Sequence, residues 1–488
     1  MIALTLAEIA AAVSGRLVTG APGTVVAGSV ETDSRLVGDD SVFFALVGAE
    51  TDGHRFVPDA VAAGAALVVT QERVETAAAQ IVVEDGYRAL AALAHEVVAR
   101  VRTATADRPE GPLRTVGITG SNGKTSTKNM LRTILSTVGE TVAPEGSFNN
   151  HVGAPISMLR LTDDSRFLVV EMGASGMGEI AKLVRIAEPD VGVVLKVGLA
   201  HAGEFGGIEM TQRAKSEMVT DLPGTATAVL NADDDRVMAM ADITAAKVVT
   251  FGTDASAEYR ITDLETDRTG TRFVLTHAPA AGRTGGAADV ASSASDTQTV
   301  QLAILGEHHA MNATAALVVA AAWGVPLADG ARALASMTRA ERWRMELLQG
   351  GPEGVTVVND AYNASPDSMA AALRTLAQVV RPGERTVAVL GEMAELGEYS
   401  VEEHDRIGRL VVRLGIGQLI VVGRGALPIH QAASLEGSWD GESVYVEDAD
   451  DAVRVVEQMV RPGDVVLVKS SKSAGLRHLG DRLGGVPA

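Results

Sequence analysis

The chain has 488 residues, 46% of them hydrophobic, and a formal net charge of -20 at pH 7. That length exceeds one core and suggests about three domains, while the acidic balance argues against nucleic acid or an anionic membrane as the principal partner. Cysteine is absent, which excludes disulfides, a thiol nucleophile and thiolate metal sites.

The first residues, Met1 to Gly15, carry Glu8 and no basic leader, so they do not read as a secretory signal and a cytoplasmic location is expected. Up to residue 108, short apolar segments alternate with turns. Ser41 to Leu46 is strand-like, Val57 to Ala63 helix-like and Ala66 to Val69 strand-like, which makes a small α/β unit. Arg102 to Leu113, with Pro109, Gly111 and Pro112, reads as a linker.

The apolar run Val116-Gly117-Ile118-Thr119 then enters Gly120-Ser121-Asn122-Gly123-Lys124-Thr125-Ser126. Gly120 and Gly123 let backbone N–H groups approach a polyphosphate, the following helix offers its positive N-terminus, Lys124 supplies a cation and Thr125 a hydroxyl for Mg²⁺. The usual spacing would place a glycine at position 118, where Ile118 stands, so this is the shorter T-G-x-x-G-K-T form, and the chain is expected to use ATP. A helix over Thr127 to Thr137 and strands at Phe167 to Glu171, Val191 to Val197 and Ala226 to Leu230 follow. Such alternation calls for a mostly parallel sheet wrapped by helices, with ligands at the strand carboxyl ends.

The stretch from His277 to Thr299 is dominated by Ala, Gly, Ser and Thr and reads as a flexible excursion between strands at Arg272 to Leu275 and Thr299 to Leu302. Ala310 to Ala328 is uncharged but broken by Asn312, Gly324 and Pro326, so it reads as a buried helix and its stop. From Thr338, strands at Val355 to Asn359, Thr386 to Leu390, Gln418 to Val422 and Asp464 to Lys469 suggest a second doubly wound sheet. The expected fold is α/β in three domains: a small N-terminal α/β domain (1–108), a central P-loop domain with a mostly parallel sheet wrapped by helices (109–337), and a C-terminal doubly wound, Rossmann-like domain (338–488).

Several residues stand where chemistry is done. Glu171 closes a strand, where it could hold Mg²⁺ or merely cap the next turn. His201 follows another strand and reads as a second metal's ligand or a loop cap, and Lys215 alone would pass for a solvated helix lysine. His308 and Asn312 share one helical face at i, i+4. Asp360, Tyr362 and Asn363 lie just beyond a buried strand, with Asp367 or Ser368 as a helix cap.

Together these motifs resemble the Mur ligase family, ATP-dependent amide-forming enzymes of peptidoglycan synthesis. The shared features are Thr119-Gly120 to Thr125, Glu171, Ala200-His201, Ala214-Lys215, Asn231-Ala232-Asp233-Asp234 and Gly306-x-His308 to Asn312. Others resemble the member that joins D-alanyl-D-alanine to a UDP-N-acetylmuramoyl-tripeptide: Asp33-Ser34-Arg35, Phe43 to Leu46, Asp52-Gly53-His54, Asn149-Asn150 with Gly153 and Pro155, Asp360 to Met369, and Gly391 to Gly397 followed by His404.

The resemblance implies roles. Lys124 and the amides of Gly120 to Ser126 would hold the ATP phosphates, with Lys124, His201 and Lys215 as the catalytic set. Thr125 and Glu171 would bind one Mg²⁺ and His201 a second, with Lys215 a carbamate. Asn231, His308 and Asn312 would face the nucleotide, joined by Arg344 and Asp360 from the C-terminal domain. Ser34, Arg35 and their neighbours would bind the uridine diphosphate end, and Phe44, Asp52, His54, Asn149, Asn150, Tyr362 and Asn363 would complete the substrate-binding set. A monomer is expected, without integral membrane association. The chain departs from the family at Leu195-Lys196 and at Lys472, where relatives carry a polar pair and an arginine, and Arg342 competes with Arg344 for the C-terminal role. A sibling ligase adding one amino acid, or a folate polyglutamylating enzyme, shares the central motifs, but Asp360 to Pro366 and the 1–108 domain discriminate against both. A nucleotide-dependent regulatory protein would have no use for a second metal site.

Overall fold

The computed structural model describes residues 1–144, 146–199, 206–278, 296–351, 354–436 and 439–486. Among them three large sheets follow one another along the chain. The first has five strands in the order Arg16–Thr19, Ala79–Val82, Ala65–Thr70, Ser41–Phe44 and Val30–Glu31, parallel except at the first pair. The helix Gly86–Ala104, whose N-cap Asp85 accepts from the N–H groups of Tyr87 and Arg88, leaves this unit and packs its Leu90, Leu93 and Val97 face into a core shared with Leu168 and Val170 of the next sheet. The expected linker is therefore ordered. The helix runs on into it, Arg102 pairs with Glu188 and Asp190, and the Thr105 hydroxyl accepts from Leu113 N–H at 2.8 Å.

The second sheet has nine strands: Asp296–Leu302, Gly270–His277, Tyr259–Asp267, Lys247–Gly252, Thr227–Asn231, Val191–Val194, Arg114–Thr119, Phe167–Glu171 and Thr141–Val142. It is parallel from Thr141–Val142 through Tyr259–Asp267 and antiparallel over the other two. Runs such as Val169-Val170 and Val193-Val194 are fully buried because helices cover both faces. On one face the helix Glu307–Ala322 lays Ala313, Ala316 and Leu317 against Leu131 and Ile134 of the helix Lys124–Leu135. The chain fills the Phe167 side of Arg114–Thr119 before crossing to Val191–Val194, so a topological switch point falls at the carboxyl end of Arg114–Thr119, the place where open sheets bind ligands. Strands Gly270–His277 and Asp296–Leu302 both extend beyond their expected ends, and the centre of the small-residue excursion lies outside the described residues.

The third sheet runs Glu346–Leu348, Thr356–Asn359, Asp464–Lys469, Arg385–Leu390, Gln418–Val422 and Glu442–Val446, parallel except at its first pair. Apolar clusters cover both faces, as double winding requires. Its two edge strands escaped the sequence reading because they are short or half exposed. The helix Pro366–Val379 is capped by Ser365, whose hydroxyl accepts from Ser368 N–H in a reciprocal box, rather than by Asp367 or Ser368. Among the described residues no helix is long and apolar enough to cross a membrane.

Candidate active site

The phosphate loop stands at the switch point. Thr119 Oγ1 donates to Met172 O at 2.8 Å, Ser121 N–H donates to Lys196 O at 2.8 Å, and the Ser121 hydroxyl bridges both backbone groups of Gly198. The helix Lys124–Leu135 starts directly at Lys124, three residues earlier than its apolar pattern suggests, because Gly123 turns the chain with φ 87°. A Cβ there would come within 2.3 Å of Asn312 Oδ1 as well as meeting the left-handed backbone. Gly123→Ala is accordingly expected to weaken ADP binding by about tenfold or more while the far sheets stay folded, which calorimetry and thermal unfolding of the same variant would check.

Lys124 Nζ donates to Gly120 O at 2.7 Å, and burial pulls its ammonium below the ordinary lysine value, with Glu171 opposing the shift. Glu171, fully buried at its strand end, accepts from Asn149 Nδ2 at 2.8 Å through one oxygen, while the other is buried without a hydrogen-bond partner. Thr125 Oγ1 lies 3.0 Å from Ser147 Oγ in the same pocket. An orphaned carboxylate oxygen beside a hydroxyl and a phosphate loop fits a hard divalent cation that takes its remaining ligands from phosphate and water. No group of three or more acids or histidines placed to hold a metal occurs among the described residues, and His201 lies outside them. Lys215, on the helix Ile208–Thr220, is 2% exposed and so is not a solvated lysine. Burial, and then the charge of Lys124, bring its ammonium down to about 7.

The C-terminal domain closes onto this loop. Arg344 lies 4.7 Å over the Tyr362 ring and donates to Thr125 Oγ1 at 3.4 Å, whereas Arg342 turns away to Asp481 at 3.0 Å. Trp343 and Met345 hold positive φ of 58° and 49° on either side of Arg344, a left-handed backbone that non-glycine residues adopt only where the surroundings hold them in it. Ser365 Oγ donates to Asn122 Oδ1 at 3.0 Å and Lys196 pairs with Asp367 at 3.3 Å. That pairing gives the departure at Lys196 a role in joining the two domains. Lys472, the other departure, lies 5.8 Å from the Tyr362 ring. Asp360 accepts from Lys469 Nζ at 2.6 Å and from Met345 N–H at 3.1 Å.

Between the domains lies a cavity of about 430 Å³ that brings together Ser121 to Ser126, Asn149, Asn150, Glu171, His308, Asn312, Arg344, Asp360, Tyr362 and Asn363. A second, of about 240 Å³, joins it at Asn122, Gly123, His308 and Asn312 and has apolar walls of Leu195, Phe251 and Met311, suited to a planar base. Asn231 lines it, but its side chain is engaged with Leu195 O and Asp233 N–H and shapes the wall. Sequence reasoning missed Ser147, Glu179, His309, Glu395 and Lys469, all on the larger cavity. Lys469 was findable, since it ends a buried strand as Glu171 does. His309 has both ring nitrogens buried without partners, which no pattern could announce.

Burial lowers His308 to about 4 and His309 well below its ordinary value. Both imidazoles are therefore neutral near pH 7. Since the unfolded chain would bind these protons and the folded one would not, stability should fall as pH drops from about 6.5 toward 4. Thermal unfolding should show a smaller acid loss in His308→Asn than in the parent, and equal losses would exclude this contribution.

The proposed N-terminal ligands do not line either cavity. His54 is bound to Asp52, with Nδ1 at 2.7 Å from Oδ1, and accepts from Gln71 N–H, while Arg35 extends outward from Asp33. Ser34 is half-buried beside them. Phe44 is fully buried in the core, because strand alternation in this tightly covered sheet turns it inward, so its ring offers no face to a ligand. Tyr87, 5.3 Å from the ring of His151, is where this domain meets the cavity edge.

Known proteins share this arrangement. Family descriptions match three segments: "Mur ligase family, catalytic domain" over 27–104, "Mur ligase middle domain" over 118–320 and "Mur ligase, glutamate ligase domain" over 343–472. The UDP-N-acetylmuramoyl-tripeptide--D-alanyl-D-alanine ligase of Mycobacterium tuberculosis (strain ATCC 25618 / H37Rv) is 41% identical, covering 99% of this chain and 98% of its own. Its Escherichia coli (strain K12) counterpart is 32% identical over 98% of both. Among solved structures, MurF from Acinetobacter baumannii superposes with a TM-score of 0.85 at 28% identity, covering 99% of each chain. MurF ligase from Thermotoga maritima in complex with ADP gives 0.77 at 26%, covering 94% of this chain and 97% of that one.

Proposed function

The chain belongs to the Mur ligase family, and on that premise we propose how its cleft makes an amide bond. It is an ATP-dependent, ADP-forming ligase that joins D-alanyl-D-alanine to UDP-N-acetylmuramoyl-tripeptide, the activity carried by relatives matched over the whole chain. The three sheets are read as the cores of a UDP-substrate domain (1–108), an ATP domain (109–337) and a closing C-terminal domain (338–488), in a monomeric cytoplasmic enzyme.

A carboxylate is a poor electrophile toward an amine, so it must first be activated. The tripeptide's terminal carboxylate oxygen attacks the γ-phosphorus, the bond to ADP breaks, and an acyl phosphate forms. The dipeptide amine, having lost a proton from its ammonium form to solvent, then adds to the acyl carbon; the tetrahedral intermediate gives up a second N–H proton, which the phosphate takes as it leaves with its bonding pair, and the amide remains. Lys124, released from Gly120 O, and Arg344 place cations on the transferring group, which lowers the repulsion between two anions. The neutral histidines and Asn312 hold the nucleotide side. The polar joints Ser365–Asn122 and Lys196–Asp367 keep the closed domains in register and exclude water. Thr125 and Glu171 would hold one Mg²⁺, and His201 with a carbamate on Lys215 a second. Those ions would supply charge neutralisation at the phosphates.

The single observation that carries the site assignment is the orphaned Glu171 oxygen facing the same cavity as Lys124, Thr125 and Arg344. Phosphate release from ATP across a panel of UDP-muramoyl peptides, each with and without D-alanyl-D-alanine, tests the reading. Turnover should require a tripeptide and the dipeptide together, and turnover with a single amino acid in its place would point to a sibling ligase.

A further inference from the structure

Lys128 lies one turn beyond Lys124 on the helix Lys124–Leu135 and is completely buried. Lysine is seldom enclosed unless its charge meets well-placed acceptors, and an apolar side chain of the same length would fill the space without the cost of desolvation. Here the acceptors belong to one loop. The ammonium donates to Pro144 O at 2.6 Å and to Gly146 O at 2.8 Å.

The residues that follow those carbonyls form one wall of the cavity. Ser147 Oγ meets Thr125 Oγ1 at 3.0 Å, and Asn149 donates to Glu171 while its own carbonyl accepts from Gly173 N–H at 2.8 Å. Asn150 Oδ1 accepts from Gly153 N–H at 2.8 Å at the start of the helix Gly153–Met158, and His151 meets Tyr87 of the N-terminal domain. The segment thus runs from the phosphate helix to the domain assigned to the UDP substrate.

We propose that Lys128 is a positioning residue that ties residues 146–150 to the phosphate helix, so that Ser147, Asn149 and Asn150 present their polar groups to the peptide carboxylate of the acceptor substrate beside the transferring phosphate. This rests on the ligase reading above. It adds a division of labour on one helix: Lys124 faces the nucleotide, and Lys128, on the same side one turn later, holds the acceptor's wall.

The test compares the full-length wild type with Lys128→Met and with Lys128→Gln, which keeps a neutral N–H donor on a side chain one bond shorter. The measurements are KM for each substrate, ADP affinity by calorimetry, and amide hydrogen exchange at 146–150. In Lys128→Met the KM for the UDP-muramoyl tripeptide should rise by about tenfold or more, with ADP affinity held within about threefold and faster exchange at 146–150, and Lys128→Gln should recover part of the change. An equal loss of ADP and acceptor binding, an unchanged KM, or unfolding of both variants would assign Lys128 to the core and overturn the proposal. A wild type without dipeptide-dependent turnover would instead refute the ligase reading, and the exchange and ADP measurements would still report on the tether.

Discussion

Lys124→Ala should lower turnover roughly a thousandfold while leaving the fold and the thermal midpoint nearly unchanged. The side chain contributes one hydrogen bond to the structure, to Gly120 O, and its burial disfavours the charged form, so removing it costs the folded state little. The transition state loses more. In a cleft lined by Arg344 and Asp360, from which bound substrates would displace water, a cation on the transferring phosphoryl group would act at reduced effective dielectric, where one preorganised charge is worth several kcal/mol. Single-turnover acyl-phosphate formation measures the effect directly. Near-normal rates there would remove Lys124 from the chemistry.

Lys215→Ala should be almost inactive and should recover in the presence of acetate or another short carboxylate, whereas Lys215→Arg should stay inactive with or without it. The argument begins with burial, which together with the charge of Lys124 makes an ammonium at this position unfavourable. The neutral amine is the form that adds carbon dioxide, giving a carbamate and releasing a proton. The nearby Lys124 charge that disfavours an ammonium then favours the anion. A carbamate turns a cation into a carboxylate-like ligand of the kind hard divalent ions take. Acetate can occupy the volume and charge it leaves, and an arginine can supply neither. Full activity of Lys215→Ala without additive would reject the role, and a mass increase on Lys215 in the intact protein would support it independently.

The phosphate loop was legible because its parts are contiguous: an apolar strand, two glycines free to take positive φ, and Lys-Thr-Ser heading a helix. Glu171 was legible for a similar reason, since a carboxylate ending a Val-rich strand must lie at the carboxyl edge of a parallel sheet. Arg344 was not separable from Arg342 by pattern. The two differ in direction, fixed by the positive φ at Trp343 and Met345 and by the Asp481 carboxylate that draws Arg342 aside. Phe44 stood out because its motif is recognisable, while its burial follows from the register of a sheet covered on both sides.

By itself, then, the sequence determined the α/β class, the order of the three sheets, the ATP loop and the family, because each depends on backbone preferences and periodicities within a few dozen residues. The tertiary structure alone decided which side chains share the cavity. Lys215 and Lys128 look alike as helix lysines, and only packing encloses them. Lys469, His309 and Ser147 come from segments far apart in the chain: packing within the central domain brings His309 and Ser147 to the cavity of Lys124, and the folding of the third sheet over the second adds Lys469. The physical reason is that burial, desolvation and charge pairing act through space, whereas a sequence orders residues only along the chain.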